Sequence, residues 1–146
     1  MRATLLLADF VQAVQGKLYI LGGGWSITGP GAVQMGIAVK IEVPWDQANV
    51  QHTFGLSLVD ADERPVRFPG GTGDQPVQVE GQFEVGRPPG LKPGTPLDFA
   101  IAVNVPPLPL APDSRFVWRL TIDGESDEDW YVGFTTRHGP PQQEGG

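Results

Sequence analysis

Three observations predict an all-β chain, folded as one single-domain antiparallel β-sandwich, Ig-like or jelly-roll-like, with about eight strands and negligible helix. Apolar residues recur with a period of two along nearly every segment, which is the strand period. The chain holds 20 glycines and 15 prolines, and these punctuate the apolar runs as turns do. A length of 146 residues with 40% hydrophobic and 18% charged residues suits one domain with one core. A closed barrel is the weaker alternative.

The first strands fall in ATLLLADF and KLYILGG. In VQMGIAVKIEV, Met35, Ile37, Val39, Ile41 and Val43 share one parity, opposed by Gln34, Lys40 and Glu42. Residues 46–51, DQANVQ, offer the one helical candidate, a turn or two long. HTFGLSLV supplies Phe54, Leu56 and Leu58, and Asp60 to Glu63 then mark a turn before PVRF, residues 65–68, a short extra strand. PVQVEGQFEV alternates through Val77, Val79, Phe83 and Val85. Residues 86–96, GRPPGLKPGTP, read as a proline-glycine loop. LDFAIAVNV follows, its second face softened by Ala100 and Ala102, and NVPPLPLAPDSR reads as an extended crossing. RFVWRLTI, an acidic hairpin in IDGESDEDW and the strand WYVGFTTR complete the sandwich over residues 1–137, leaving 138–146 as a disordered tail. Alternation this regular favours antiparallel sheets that share a core.

Composition removes several chemistries. There is no cysteine, so disulfides, thiolate metal sites and cysteine nucleophiles are absent. The net charge is −7 and the ten Lys and Arg are scattered, which argues against nucleic acid and against an anionic membrane surface. The apolar run near the start is only three leucines, too short for a signal-peptide core or a membrane span, and the expected location is the cytoplasm.

Gly22, Gly23 and Gly24 look at first like a phosphate loop. A dinucleotide fingerprint from Gly22 needs glycine at 27, where Ile27 stands, and a phosphate loop from Gly24 needs lysine where Pro30 stands. Both also need a helix to follow, whereas SITGPGAVQM leads into a strand. The expected role is a backbone bend or a close approach. No G-x-S-x-G elbow and no metal-spaced histidine pair occurs, and no cofactor is expected. His138 lies in the tail; His52 sits at the edge of the core, and a hydrolase would need it to join Asp46 or Asp60.

Two acidic turns, with Asp60 and Asp62 in one and Asp123, Asp127 and Asp129 in the other, could hold Ca2+ if they met at one end of the sandwich. Trp25, Trp45, Trp130 and Tyr131 stand at strand ends or in loops, where aromatics stack on sugars or anchor a protein partner, while Trp118 has core parity.

The blocks ADFVQAVQGKLYILGGGW, VPWDQANVQHTFGLSLVDADERPV and WRLTIDGESDEDW resemble a small family of uncharacterised bacterial proteins, over about residues 3–136. The run from Ala8-Asp9 to Gly22-Gly23-Gly24-Trp25 is its most specific part. That family is one of unknown function, so the resemblance implies no catalytic or binding residue. The leading expectation is a non-enzymatic sandwich that works through a protein partner or self-association. A carbohydrate- or calcium-binding module is the alternative, and a hydrolase comes third.

Overall fold

The structure, a computed structural model, describes residues 1–70 and 73–139. In chain order its strands are β1 (Arg2–Ala8), β2 (Phe10–Val14), β3 (Lys17–Leu21), β4 (Ile27–Thr28), β5 (Gly31–Val43), β6 (His52–Asp60), β7 (Arg67–Gly70), β8 (Gly73–Pro76), β9 (Gln78–Phe83), β10 (Leu97–Leu110), β11 (Arg115–Ile122) and β12 (Glu125–Thr136). One sheet has the order β1-β5-β10 and the other β4-β12-β11-β6-β9; β2-β3 and β7-β8 form separate hairpins. All pairings are antiparallel except β4 with β12. The chain is therefore all-β, with more strands than the eight or so expected. Helix is confined, among the described residues, to a single 3-10 turn at Trp45–Gln47, within reach of the helical candidate at 46–51.

The two larger sheets close on one core through the parities the sequence sets out. Met35, Ile37, Val39, Ile41 and Val43 of β5 are buried against Leu56 and Leu58 of β6 and Phe116, Trp118, Leu120 and Ile122 of β11. Contacts across the layers are specific. The Trp118 indole N–H donates to Met35 Sδ at 3.4 Å, and Phe83 stacks on Phe99 at 5.0 Å between centroids. Phe134 of β12 lies 5.4 Å from Phe116. No helix among the described residues is long and apolar enough to cross a membrane.

Two expectations about connections are corrected. PPLPL is no crossing: β10 runs through it to Leu110, and Leu108, Pro109 and Leu110 pair with Val33, Ala32 and Gly31. Pro106 and Pro107 face the single residue Gln34, a bulge on an edge strand, where a missing N–H costs least. The acidic hairpin is also shorter than expected. Its turn is only Asp123-Gly124, with φ of 54° and 78°, and Ile122 already pairs with Glu125. Asp127, Glu128, Asp129 and Trp130 belong to β12, forming a bulge opposite Leu120.

A second, smaller cluster lies outside the sandwich. Ala8, Val11 and Ala38 are buried with Leu18 and Ala102 packed against them, because the β2–β3 hairpin folds over the outer face of β5 and β10. That face carries small residues, which lets the hairpin sit close. A Cβ at Gly36 would stand 2.8 Å from Asn104 Oδ1 and 3.0 Å from Val11 Cγ2. Of the expected tail, His138 pairs with Asp113, and residues 140–146 lie outside the described residues.

Candidate functional site

The glycine run completes the hairpin. Gly22 and Gly24 have φ of 60° and 91°, a backbone that glycine adopts without strain, and the Gly24 N–H donates to the Leu7 carbonyl at 2.7 Å. The chain thus leaves the three-stranded sheet at Ala8 and returns beside the same point. This bears out the expected close approach. Trp25 then packs edge-on to Phe134, 6.0 Å away at 76°, with its indole N–H buried and unpartnered.

The other aromatic candidates are spread over the molecule. Trp45 is half-buried, with the Arg87 guanidinium 4.8 Å over its ring and bonded to its carbonyl at 2.7 Å. Trp130 packs partly into the core, and Tyr131 is exposed with Arg119 at 5.8 Å from its ring. Trp118 is fully buried, as its parity predicts.

The five aspartates do not converge. Asp60 pairs in register with Phe116, while Asp123 lies just past Ile122, so these two stand at opposite ends of β6 and β11, whereas Asp127 lies in the β12 bulge and shares a depression with Glu63. Asp60 Oδ1 accepts from the Asp62 and Arg64 N–H groups, each at 2.9 Å, and Asp127 Oδ1 accepts from the Asp129 N–H at 3.0 Å. These two carboxylates cap their own turns. Glu63 of the first turn reaches Arg119, whose paired hydrogen bonds hold the Glu63 carboxyl below its ordinary pKa. Among the described residues no group of three or more acidic or histidine side chains is placed to hold a metal ion.

His52 meets neither Asp46 nor Asp60. It is buried, and its Nε2–H donates to the Gln47 carbonyl at 2.9 Å while Nδ1 lies 2.7 Å from Asp123 Oδ2. Both ring nitrogens therefore face acceptors, the arrangement that suits the imidazolium. Burial opposes that charge, but the Gln47 carbonyl and the Asp123 carboxylate outweigh it, so the pKa is raised above the ordinary 6.5. Asp123 also accepts from the Thr53 N–H at 2.9 Å, which is the main reason its pKa falls. The assembly is a latch between β6, the 3-10 turn and the β11–β12 turn.

What the sequence reading passed over is the hairpin itself. The Gln15-Gly16 turn has φ of 52° and 76°, and Phe10 pairs with Leu21, Gln12 with Tyr19 and Val14 with Lys17. These pairs form the outward face, where Phe10, Val14, Tyr19 and Leu21 stand exposed, Tyr19 at 54% and Leu21 at 65%. Leu6, Ile20 and Ile27 are exposed as well, whereas Val11 and Leu18 turn inward. The signal was in the residues: LYIL, 18–21, is apolar on both parities, the pattern of a strand covered on both sides. Among the described residues only one of its faces is covered.

A two-sheet sandwich bearing an accessory hairpin with an apolar outward face defines the class: a small all-β domain whose most conspicuous surface is non-polar. No curated protein and no solved structure matches it significantly. The family of unknown function DUF6941 matches residues 3–131, and the chain belongs to that family.

Proposed function

We propose that the protein is a non-enzymatic β-sandwich that works by binding protein through the outward face of the β2–β3 hairpin. The observation that carries this reading is the concentration of exposed Phe10, Val14, Tyr19 and Leu21 on one two-stranded face. These four side chains present on the order of 400 Å2 of apolar surface, the size of the largest patch on a typical monomer, which is often functional. His52, the histidine nearest to a catalytic placement, has both nitrogens committed to the latch, which supports a structural role for it.

A photo-crosslinking amino acid at position 10 tests the reading in the native host, with position 121 on the far sheet as control. Crosslinks to protein from position 10, lost when Leu21→Gln is added, are expected. Absence of any protein adduct at position 10 would overturn it. A second reading is favoured by one depression of about 520 Å3 lined by Met1, Arg2, Glu42, Pro44, Trp45 and Pro96, a size that suits a small ligand. Quenching of Trp45 fluorescence by an oligosaccharide, abolished in Trp45→Phe, would support it.

A further inference from the structure

The hairpin has two edges, and they are treated differently. On the β2 side, Asn104 Oδ1 accepts from the Val11 N–H at 3.0 Å and Asn104 Nδ2 donates to the Val11 carbonyl at 2.8 Å. One carboxamide thus satisfies both outward groups of Val11, leaving only those of Ala13, beside the turn, for a neighbouring strand. On the β3 side no strand pairs, among the described residues. The two-residue turn makes Val14–Lys17 a hydrogen-bonded pair, and alternation makes Gln12–Tyr19 and Phe10–Leu21 hydrogen-bonded pairs too. The N–H and C=O groups of Leu18 and Ile20 therefore point away from β2. That open edge carries no proline, no bulge and no inward charge; its one charged residue is Lys17, at the end beside the turn.

We propose that the binding surface is completed by a second copy of this chain, whose β3 adds antiparallel to β3 about a two-fold axis through Tyr19. The inference rests on the reading of the hairpin as the interaction surface. This register pairs Leu18 of each copy with Ile20 of the other, so every outward group on both strands is used in four hydrogen bonds. Shifting the axis to Leu18 or Ile20 leaves half of them idle. The register also sets Lys17 opposite the other copy's Leu21, one residue from Gly22 and the Asp9 carboxylate that lies against it.

Charge agrees with self-pairing. Residues 8–25 hold one Asp and one Lys in a chain of net charge −7, so the two copies meet through a neutral zone. Asn104 takes the Val11 groups and leaves too short a free stretch of the β2 edge for a further strand, so assembly stops at a four-stranded sheet, β2-β3-β3-β2, and does not run on into a fibre. The union also makes the apolar face large enough. One hairpin offers less than the roughly 800 Å2 that each partner gives a standard interface, and two joined hairpins reach that scale.

The absence of native cysteine makes the register testable. Residues opposite each other in a non-hydrogen-bonded antiparallel pair have Cα atoms about 4.5 Å apart, within disulfide range, whereas two Lys17 residues would stand roughly 13 Å apart. Under mild oxidation Tyr19→Cys is expected to form a disulfide dimer at least tenfold faster than Lys17→Cys. Ile20→Pro, which removes an N–H that β2 does not use, is expected to return the otherwise wild-type protein to monomer in sedimentation at 200 µM. Equal crosslinking at 17 and 19, or a wild-type monomer at 200 µM, would overturn the proposal. If position 10 still crosslinks to a different protein in that case, the hairpin remains the binding surface and only the second copy is removed. Loss of both results removes both readings.

Discussion

His52 and Asp123 bind each other through opposite shifts, and the pH dependence follows from their signs. His52 has a folded pKa above its ordinary 6.5, so its contribution is complete below 6.5 and is lost as pH rises through the folded value. Asp123 has a folded pKa below its ordinary 3.8, so its contribution is complete above 3.8 and is lost as pH falls through the folded value. Both are fully present only between those two ordinary values, a mildly acidic window. Asp123 has φ of 54°, a conformation that asparagine also tolerates, so Asp123→Asn removes the charge without disturbing the turn. The melting-temperature difference between wild type and Asp123→Asn, measured from pH 3 to 9, is expected to peak inside the window and shrink on either side. A flat difference would show that the latch contributes no charge interaction.

The hairpin is held to the sandwich by a short list of contacts, and that makes its attachment easy to break selectively. Asn104→Ala leaves the Val11 N–H and C=O without their partner, at a cost of about 1–3 kcal/mol. Gly36→Ala puts a methyl where Asn104 and Val11 now sit, and the hairpin must lift. Hydrogen exchange is expected to accelerate at Val11 in both variants while amides of β5 and β11 keep their protection. Much of this was legible in the residues. The strands β5, β9, β10 and β11 sit where alternation puts them, because each turns its large apolar parity to the shared core. The small outward residues Gly36, Ala38 and Ala102 signalled a covered second face. What covers it was not legible, since LLLADFVQAV gives no glycine or proline at the Asp9 break that separates β1 from β2. Nor did proline content reveal that PPLPL pairs as an edge strand, because an edge tolerates missing donors that a central strand does not. Asp60 and Asp123 read alike in sequence but stand at opposite ends of the sheet, a fact set by the β6–β11 register alone.

The molecule as a whole divides into a sandwich that carries the large core and a hairpin that carries half of the large exposed apolar side chains among the described residues. The chain leaves for the hairpin and comes back within one 2.7 Å hydrogen bond between Leu7 and Gly24. Replacing residues 9–23 with a short glycine-serine linker is therefore expected to leave a folded protein with a single cooperative melt. The face uncovered beneath is built from Ala38, Ala102 and Gly36, so little apolar area is newly exposed. Far-UV circular dichroism and thermal denaturation check this, and a loss of cooperative unfolding would show that the hairpin is part of the core. Separation of this kind also bears on inheritance. A change at Phe10, Tyr19 or Leu21 meets no packing demand from the sandwich, so lineages are free to vary these three positions while the scaffold stands still.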